Sequence, residues 1–225
     1  MSFLGMFVGY LSALTGRACV ALASKRSENR KTGDMVQVSF LVDGEEPHCA
    51  TRSGADRSVC GNCPQRPANG GACYVVTCKG PLSAYRAWRR GRYSAAPATA
   101  TKPVRYGSYG DPASMPARAF KALHKALRPQ SWTGYTHQWR RRPDLAAYVM
   151  ASVDSAAEAQ EARAKGWRYF RIKRPADPLL AGEVQCAAER TGGKVQCKDC
   201  LLCCGNARRG PCVVINVHGA KAKKF

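Results

Sequence analysis

The stretch Val149–Ile172, VMASVDSAAEAQEARAKGWRYFRI, contains one full turn of the pattern that decides the fold. Val149 to Val153 is a short apolar run ending in Asp154-Ser155, as a strand does at its terminus. Ser155 is placed to cap an Ala- and Glu-rich helix over 156–165, and Gly166 to end it. Trp167 to Ile172 is then the next strand. Strand, helix and strand at this spacing make a βαβ unit, which needs a parallel pairing.

The alternation extends outward on both sides. Val104–Tyr109 reads as a strand ending at Gly110-Asp111-Pro112, followed by a helix from about Pro116 to Leu127. Ser131–Tyr135 is the next strand, with a short helix near Asp144–Tyr148. Upstream, Val36–Val42 is a β-rich run entering a loop at Asp43-Gly44, Pro81–Arg90 has helical spacing, and Ser94–Pro103 reads as a linker. Val213–Val217 is the last strand. The fold class is therefore α/β with mainly parallel strands. Residues 1–34 read as a poorly ordered or loosely docked leader. Residues 35–219 read as one metal-binding domain, with a cysteine loop at 48–78, a βα core at 104–174 and a second cysteine loop at 186–212. Residues 220–225 are a basic tail.

Functional groups of parallel sheets gather just past the carboxyl ends of the strands. Asp111, Thr136 with His137, Asp154 and His218 all fall there. Each alone reads as a cap or a turn residue; together they point to one shared site.

The cysteines sharpen that reading. Of twelve, ten fall into two groups separated by about a hundred residues without any. The first holds Cys49, Cys60, Cys63, Cys73 and Cys78. Its Cys60-Gly-Asn-Cys63 is a knuckle whose turn Gly61 permits, and Cys73 supplies a third sulfur. Cys49, Cys78 or His48 is available as a fourth ligand. The second group is Cys186, Cys197, Cys200, Cys203 and Cys204, with Cys-x-x-Cys-x-x-Cys at its centre. Cys19 and Cys212 stand apart and read as buried small hydrophobes. A chain of 225 residues can bury a core without disulfides. Phe3–Leu14 lacks the leading positive charge and unbroken apolar run of a secretory signal, and it is far too short to span a membrane. The chain therefore reads as cytoplasmic, where clustered thiols mean metal. Closed four-ligand zinc and a [4Fe–4S] cluster with one open iron both suit the first set, Cys60, Cys63 and Cys73. The second set, Cys186, Cys197, Cys200 and Cys203, leans to iron–sulfur, because zinc ribbons prefer paired knuckles.

The formal charge of +21, from 36 Lys plus Arg against 15 Asp plus Glu, implies a polyanionic neighbour. The densest basic stretches are Arg86, Trp88, Arg89, Arg90 and Arg92, and Arg140, Arg141 and Arg142 beside Trp139. Arginine next to an aromatic ring pairs with phosphate while the ring stacks on a base, so nucleic acid is the expected partner, DNA or RNA alike. A host protein bound through the same basic face is a further option. No Walker loop, dinucleotide fingerprint or His-Glu-x-x-His is present.

Cys60-x-x-Cys63…Cys73-Tyr74, Tyr109-Gly110-Asp111-Pro112, Thr133-Gly-Tyr-Thr-His-Gln-Trp139, Ser152-Val-Asp-Ser155 and Cys197-x-x-Cys200-x-x-Cys203 occur in that order over residues 29–219. In this the chain resembles a group of cysteine-rich phage- and plasmid-encoded proteins, largely uncharacterised, that look like distant relatives of radical SAM barrels. The resemblance implies a partial (β/α) barrel, with the first cluster in the loop after the first strand and the second as an auxiliary cluster. It implies that Gly110 and Asp111 hold the amino group of S-adenosylmethionine. His137, Asp154 and His218 would then face substrate as catalytic residues. Radical SAM enzymes typically carry Cys-x-x-x-Cys-x-x-Cys, whereas here a long gap separates Cys63 from Cys73. A non-catalytic, zinc-stabilised nucleic-acid-binding protein and a host-takeover factor are the competing expectations.

Overall fold

A computed structural model describes residues 4–225. The chain is a mixed α/β protein built on one ten-stranded sheet. Its strands are β1 (Gly5–Leu11), β2 (Ala18–Ser24), β3 (Val36–Val42), β4 (Tyr93–Ser94), β5 (Val104–Tyr109), β6 (Trp132–Thr136), β7 (Met150–Val153), β8 (Tyr169–Lys173), β9 (Glu183–Gln185) and β10 (Cys212–Asn216). They lie in the order β4-β1-β2-β3-β5-β6-β7-β8-β10-β9. From β3 to β9 every pairing is parallel; only β1–β2 and β2–β3 are antiparallel. The helices are α1 (Pro47–Ser53), α2 (Arg57–Cys60), α3 (Gly80–Arg89), α4 (Ala117–Leu127), α5 (Ala156–Ala164), α6 (Ala187–Arg190) and α7 (Cys197–Cys200).

The βαβ unit read from Val149–Ile172 is present as β7, α5 and β8. Ser155 Oγ accepts the Glu158 N–H at 3.1 Å, and the Glu158 carboxylate accepts the Asp154 N–H at 2.8 Å. The Ser155 cap starts the helix, Glu158 reaches back to the residue before it, and the Asp154 side chain takes no part in the capping. Strands β5, β6 and β10 and helices α3 and α4 also lie within a residue or two of where the sequence places them.

The leader is the main departure. Residues 5–24 form a hairpin whose second strand lies between β1 and β3. Cys19, Val20, Ala21, Leu22 and Ala23 are all buried. An apolar run covered on both faces has no alternation to reveal it as a strand. The loop from 25 to 35 is docked as well: the Cys197 and Lys198 N–H groups donate to the Lys31 and Thr32 carbonyls at 3.2 and 3.0 Å. Nor is the basic tail free, since Arg174 donates to the Phe225 carbonyl at 3.1 Å. No helix among the described residues is long and apolar enough to cross a membrane.

Candidate metal centre and cavity

The loop after β3 explains how Cys73 reaches Cys63 despite nine intervening residues. A short 3-10 turn at Pro67–Asn69 reverses the chain, and the Cys73 N–H donates to the Gln65 carbonyl at 2.9 Å. Asn69 Nδ2 donates to the Cys63 carbonyl at 3.0 Å. Arg66, buried, forks onto Asp56 at 2.5 and 3.1 Å and also donates to the Gly61 carbonyl at 3.3 Å. Gly61 has φ +61°, the left-handed region that favours glycine, and a β-carbon there would also displace the Gln138 amide end at 2.7 Å.

The second loop is organised by Arg168, which the sequence does not single out. Its guanidinium donates to the carbonyls of Leu202, Gly205, Arg208 and Pro211 at 2.7–3.2 Å. The Cys203 carbonyl in turn accepts the Gly134 N–H of β6 at 3.0 Å, tying the loop to the sheet.

The two loops meet over one cavity of about 210 Å³. Cys60, Cys63 and Cys73 line it from one loop, Cys186 and Cys197 from the other. Gly110, Asp111, His137 and His218 line it as well. Its floor is one face of the sheet, formed by Arg105, Tyr135, Ser152, Phe170, Ile172 and Ile215, so the site reaches well below the carboxyl edge. The register jumps from Val38–Tyr106 to Ser39–Tyr109, which makes a bulge in β5 with Gly107 at φ +78°. Such a bulge re-aims side chains beside a site.

His137 stands at the centre of the polar groups. Its Nδ1 lies 3.4 Å from Cys63 Sγ and its Nε2 lies 3.3 Å from Asp154 Oδ2. Burial pulls the imidazole pKa down, but the Cys63 sulfur and the Asp154 carboxylate outweigh it and hold it well above the usual range. Neither His137 Nε2 nor either Asp154 oxygen has an aligned hydrogen bond, which is rare for buried polar atoms. Asp154 also lines a second groove, of about 630 Å³.

Asp111 lines the cavity and is also bound to the main chain. Its two carboxylate oxygens accept the N–H groups of Ala113 at 2.9 Å and His137 at 2.8 Å. It is a tie between strand ends, while still lining the cavity. Gly110 is required by packing: its φ is +74°, and a β-carbon would sit 2.5 Å from the Phe40 carbonyl oxygen. His218 Nδ1 donates to the Asn216 carbonyl at 3.0 Å, its Nε2 accepts from Lys31 at 3.1 Å, and its ring stacks on Tyr74.

The thiols are electrostatically crowded. Burial first, then the neighbouring Cys63, pushes Cys60 well above the ordinary thiol range. Burial raises Cys73, Cys197 and Cys203 as well. Cys19 and Cys212 are buried in the sheet as expected. Among the described residues, the three-residue group whose ligand atoms all lie within 4.8 Å of one another is Glu46, His48 and Cys49. Its carboxylate is already paired with Arg86 at 2.7 and 3.1 Å. The sulfurs of the two predicted sets are spread more widely than that.

The predicted nucleic-acid residues divide. Trp139 is 1% exposed, and Trp88 packs on the core against Phe7 and Tyr85, so Trp139 has no free face for a base and Trp88 little. Arg86, Arg89, Arg140 and Arg142 pair with Glu46, Asp43, Glu158 with Glu161, and Asp144 respectively. Arg90, Arg92 and Arg141 are exposed and carry no carboxylate partner among the described residues.

The sequence missed Arg105, Lys31 and Arg168. Arg105 and Arg168 each left a signal, an arginine within a run that reads as a strand; Lys31 left none. Comparison with protein-family models, with curated proteins and with solved structures finds no match for this chain.

Proposed function

We propose that this chain binds iron–sulfur clusters through Cys60, Cys63 and Cys73 and through Cys186, Cys197, Cys200 and Cys203. The cavity between the sets would be the chamber for radical-SAM-like chemistry on or at nucleic acid. One observation carries the reading: cysteines from two loops more than a hundred residues apart line a single cavity with a buried imidazole. Soft, mostly half-buried and mutually repelling sulfurs fit a cluster, whose irons stabilise them as thiolates. Their spread favours it over zinc. Sulfurs sharing one zinc at about 2.3 Å stand roughly 3.8 Å apart, whereas the cysteines of a cubane each bind a different iron. The parallel run β3-β5-β6-β7-β8-β10, with the first set after β3, is consistent with a partial barrel.

A [4Fe–4S] cluster with one open iron supplies an electron for cleaving a bound sulfonium such as S-adenosylmethionine. The chain's own residues then shape the chamber. His137, held by Asp111 and flanked by Asp154, holds a proton on Nδ1 beside Cys63. Phe170, Ile172 and Ile215 keep water from the floor. The net charge of +21, with Arg90, Arg92 and Arg141 unpaired, supports approach of a polyanion.

The test is incubation of the dithionite-reduced, anaerobically purified protein with S-adenosylmethionine, followed by chromatography for 5′-deoxyadenosine. Release by the native chain and none from Cys60→Ser is expected; an intact cofactor with the native chain overturns the catalytic part. A second reading, a zinc-stabilised nucleic-acid-binding protein, is favoured by the Glu46–His48–Cys49 group, which is the size of one ion's coordination shell.

A further inference from the structure

Arg105 is 8% exposed, projects from β5 into the cavity, and has no carboxylate within ion-pair distance among the described residues. Its polar contact is the Tyr74 hydroxyl at 3.4 Å, and its guanidinium lies 5.2 Å from the Tyr135 ring centre. A buried guanidinium without a carboxylate partner is costly, and chains rarely keep one so; the Cys197 sulfur, on the same cavity wall, is the neighbouring group that can carry a negative charge. The remaining buried arginines follow that rule: Arg66 has Asp56 and Arg171 has Glu183.

A second cation lines the same cavity. Lys31 lines the cavity and gives one proton to His218 Nε2 at 3.1 Å. His218 uses its Nδ1–H on the Asn216 carbonyl, so it is the neutral acceptor in that pair. Two of the three Lys31 protons remain for a ligand. Tyr74 joins the cations, since its hydroxyl meets Arg105 and its ring stacks on His218 with centroids 5.1 Å apart. At 50% exposure Tyr74 forms part of the rim.

We infer that the cavity binds a phosphate group, held between Arg105 and Lys31 under the Tyr74–His218 stack. Two cations of one cavity, neither with a carboxylate at ion-pair distance among the described residues, match a doubly charged oxyanion. The planar fork of arginine fits two of its oxygens, and the lysine supplies a point charge. The phosphate comes either from a small phosphorylated ligand or from the end of a nucleic-acid strand; the chemistry of recognition is the same. The inference rests on the reading of this cavity as the ligand chamber, and it adds the class of ligand.

Calorimetric titration of the full chain, purified without oxygen, tests it. The probes are inorganic pyrophosphate, a 5′-phosphorylated oligodeoxynucleotide and the same oligonucleotide with a 5′-hydroxyl. The variants are Arg105→Gln, Arg105→Lys, Lys31→Met, and the surface control Arg90→Gln/Arg92→Gln. Pyrophosphate binding should weaken roughly 10- to 100-fold in Arg105→Gln and in Lys31→Met, and remain in the control. A 5′-phosphate preference that vanishes in those variants assigns the strand end; pyrophosphate binding without it assigns the small ligand. No binding by the native chain, or binding that neither variant weakens, overturns the inference. So does a loss of iron or zinc from Arg105→Gln, which would make Arg105 the counter-charge of the cysteine thiolates. If Arg105→Gln does not fold, Lys31→Met and Arg105→Lys decide alone. A native chain without iron that still binds pyrophosphate would sink the cluster reading and leave this one standing.

Discussion

Asp111 accepts the main-chain N–H of His137 at 2.8 Å, across the gap between the ends of β5 and β6. The same carboxylate holds the Ala113 N–H at 2.9 Å, and the Asp111 N–H donates to the Val59 carbonyl at 2.6 Å. One residue thus holds three segments: its carboxylate fixes the turn after β5 and the main chain of His137, and its backbone N–H fixes the first cysteine loop.

Asp111→Asn should therefore cost about 1–3 kcal/mol, because an amide turns a donor toward one of two backbone N–H groups. Urea denaturation at pH 7 measures it. A cost near zero would mean that the tie is replaced by solvent.

Arg168→Lys should destabilise the chain by about 2–3 kcal/mol, since an ammonium cannot reach four carbonyls in the places a guanidinium does. Metal bound by the second set should fall while that of the first set stays. Equal loss from both sets would place the effect on the fold as a whole.

The buried Arg171–Glu183 pair, with side chains 4% and 0% exposed, gives a pH signature. Burial pushes the Glu183 carboxyl up, Arg171 pulls it down further, and the net is a depressed pKa. Such a group adds stability that is present above the unfolded carboxylate value of about 4.3 and is lost as pH falls through the folded value. Glu183→Gln should cost about 3–5 kcal/mol at pH 7 by stranding Arg171. The gap to the native chain should hold down to about pH 5 and narrow below about pH 4. A gap that widens in acid would contradict the assignment.

Arg90→Gln/Arg92→Gln should flatten the salt dependence of nucleic-acid binding by up to about 0.9 log units per lost phosphate contact. Arg86→Gln and Arg140→Gln should change it little, because those arginines are already neutralised by glutamates. Identical slopes for all four would mean that the basic stretches only solvate their helices.

Much of the parallel half of the sheet was legible because its strands and helices alternate and end in clear stops: Gly110, the Asp154–Ser155 cap, Gly166. The hairpin of residues 5–24 was not, since Cys19–Ala23 is covered on both faces and Gly5 and Gly9 break the apolar run of β1. The convergence of His137 with Cys63 followed from strand-end logic. At the end of β7 the helix cap is Ser155 and not Asp154. The fork of Arg168 onto four carbonyls and the approach of Lys31 to His218 depend on loops packing across long sequence separations. No local pattern in the chain encodes them.

The most direct measurement is iron, zinc and acid-labile sulfide in protein purified without oxygen, for the native chain, Cys60→Ser/Cys63→Ser and Cys197→Ser/Cys200→Ser. Two clusters give roughly eight irons with matching sulfide in the native chain, and about four in each double variant. One or two zincs with no sulfide would contradict the iron–sulfur assignment and leave a basic protein stapled by metal.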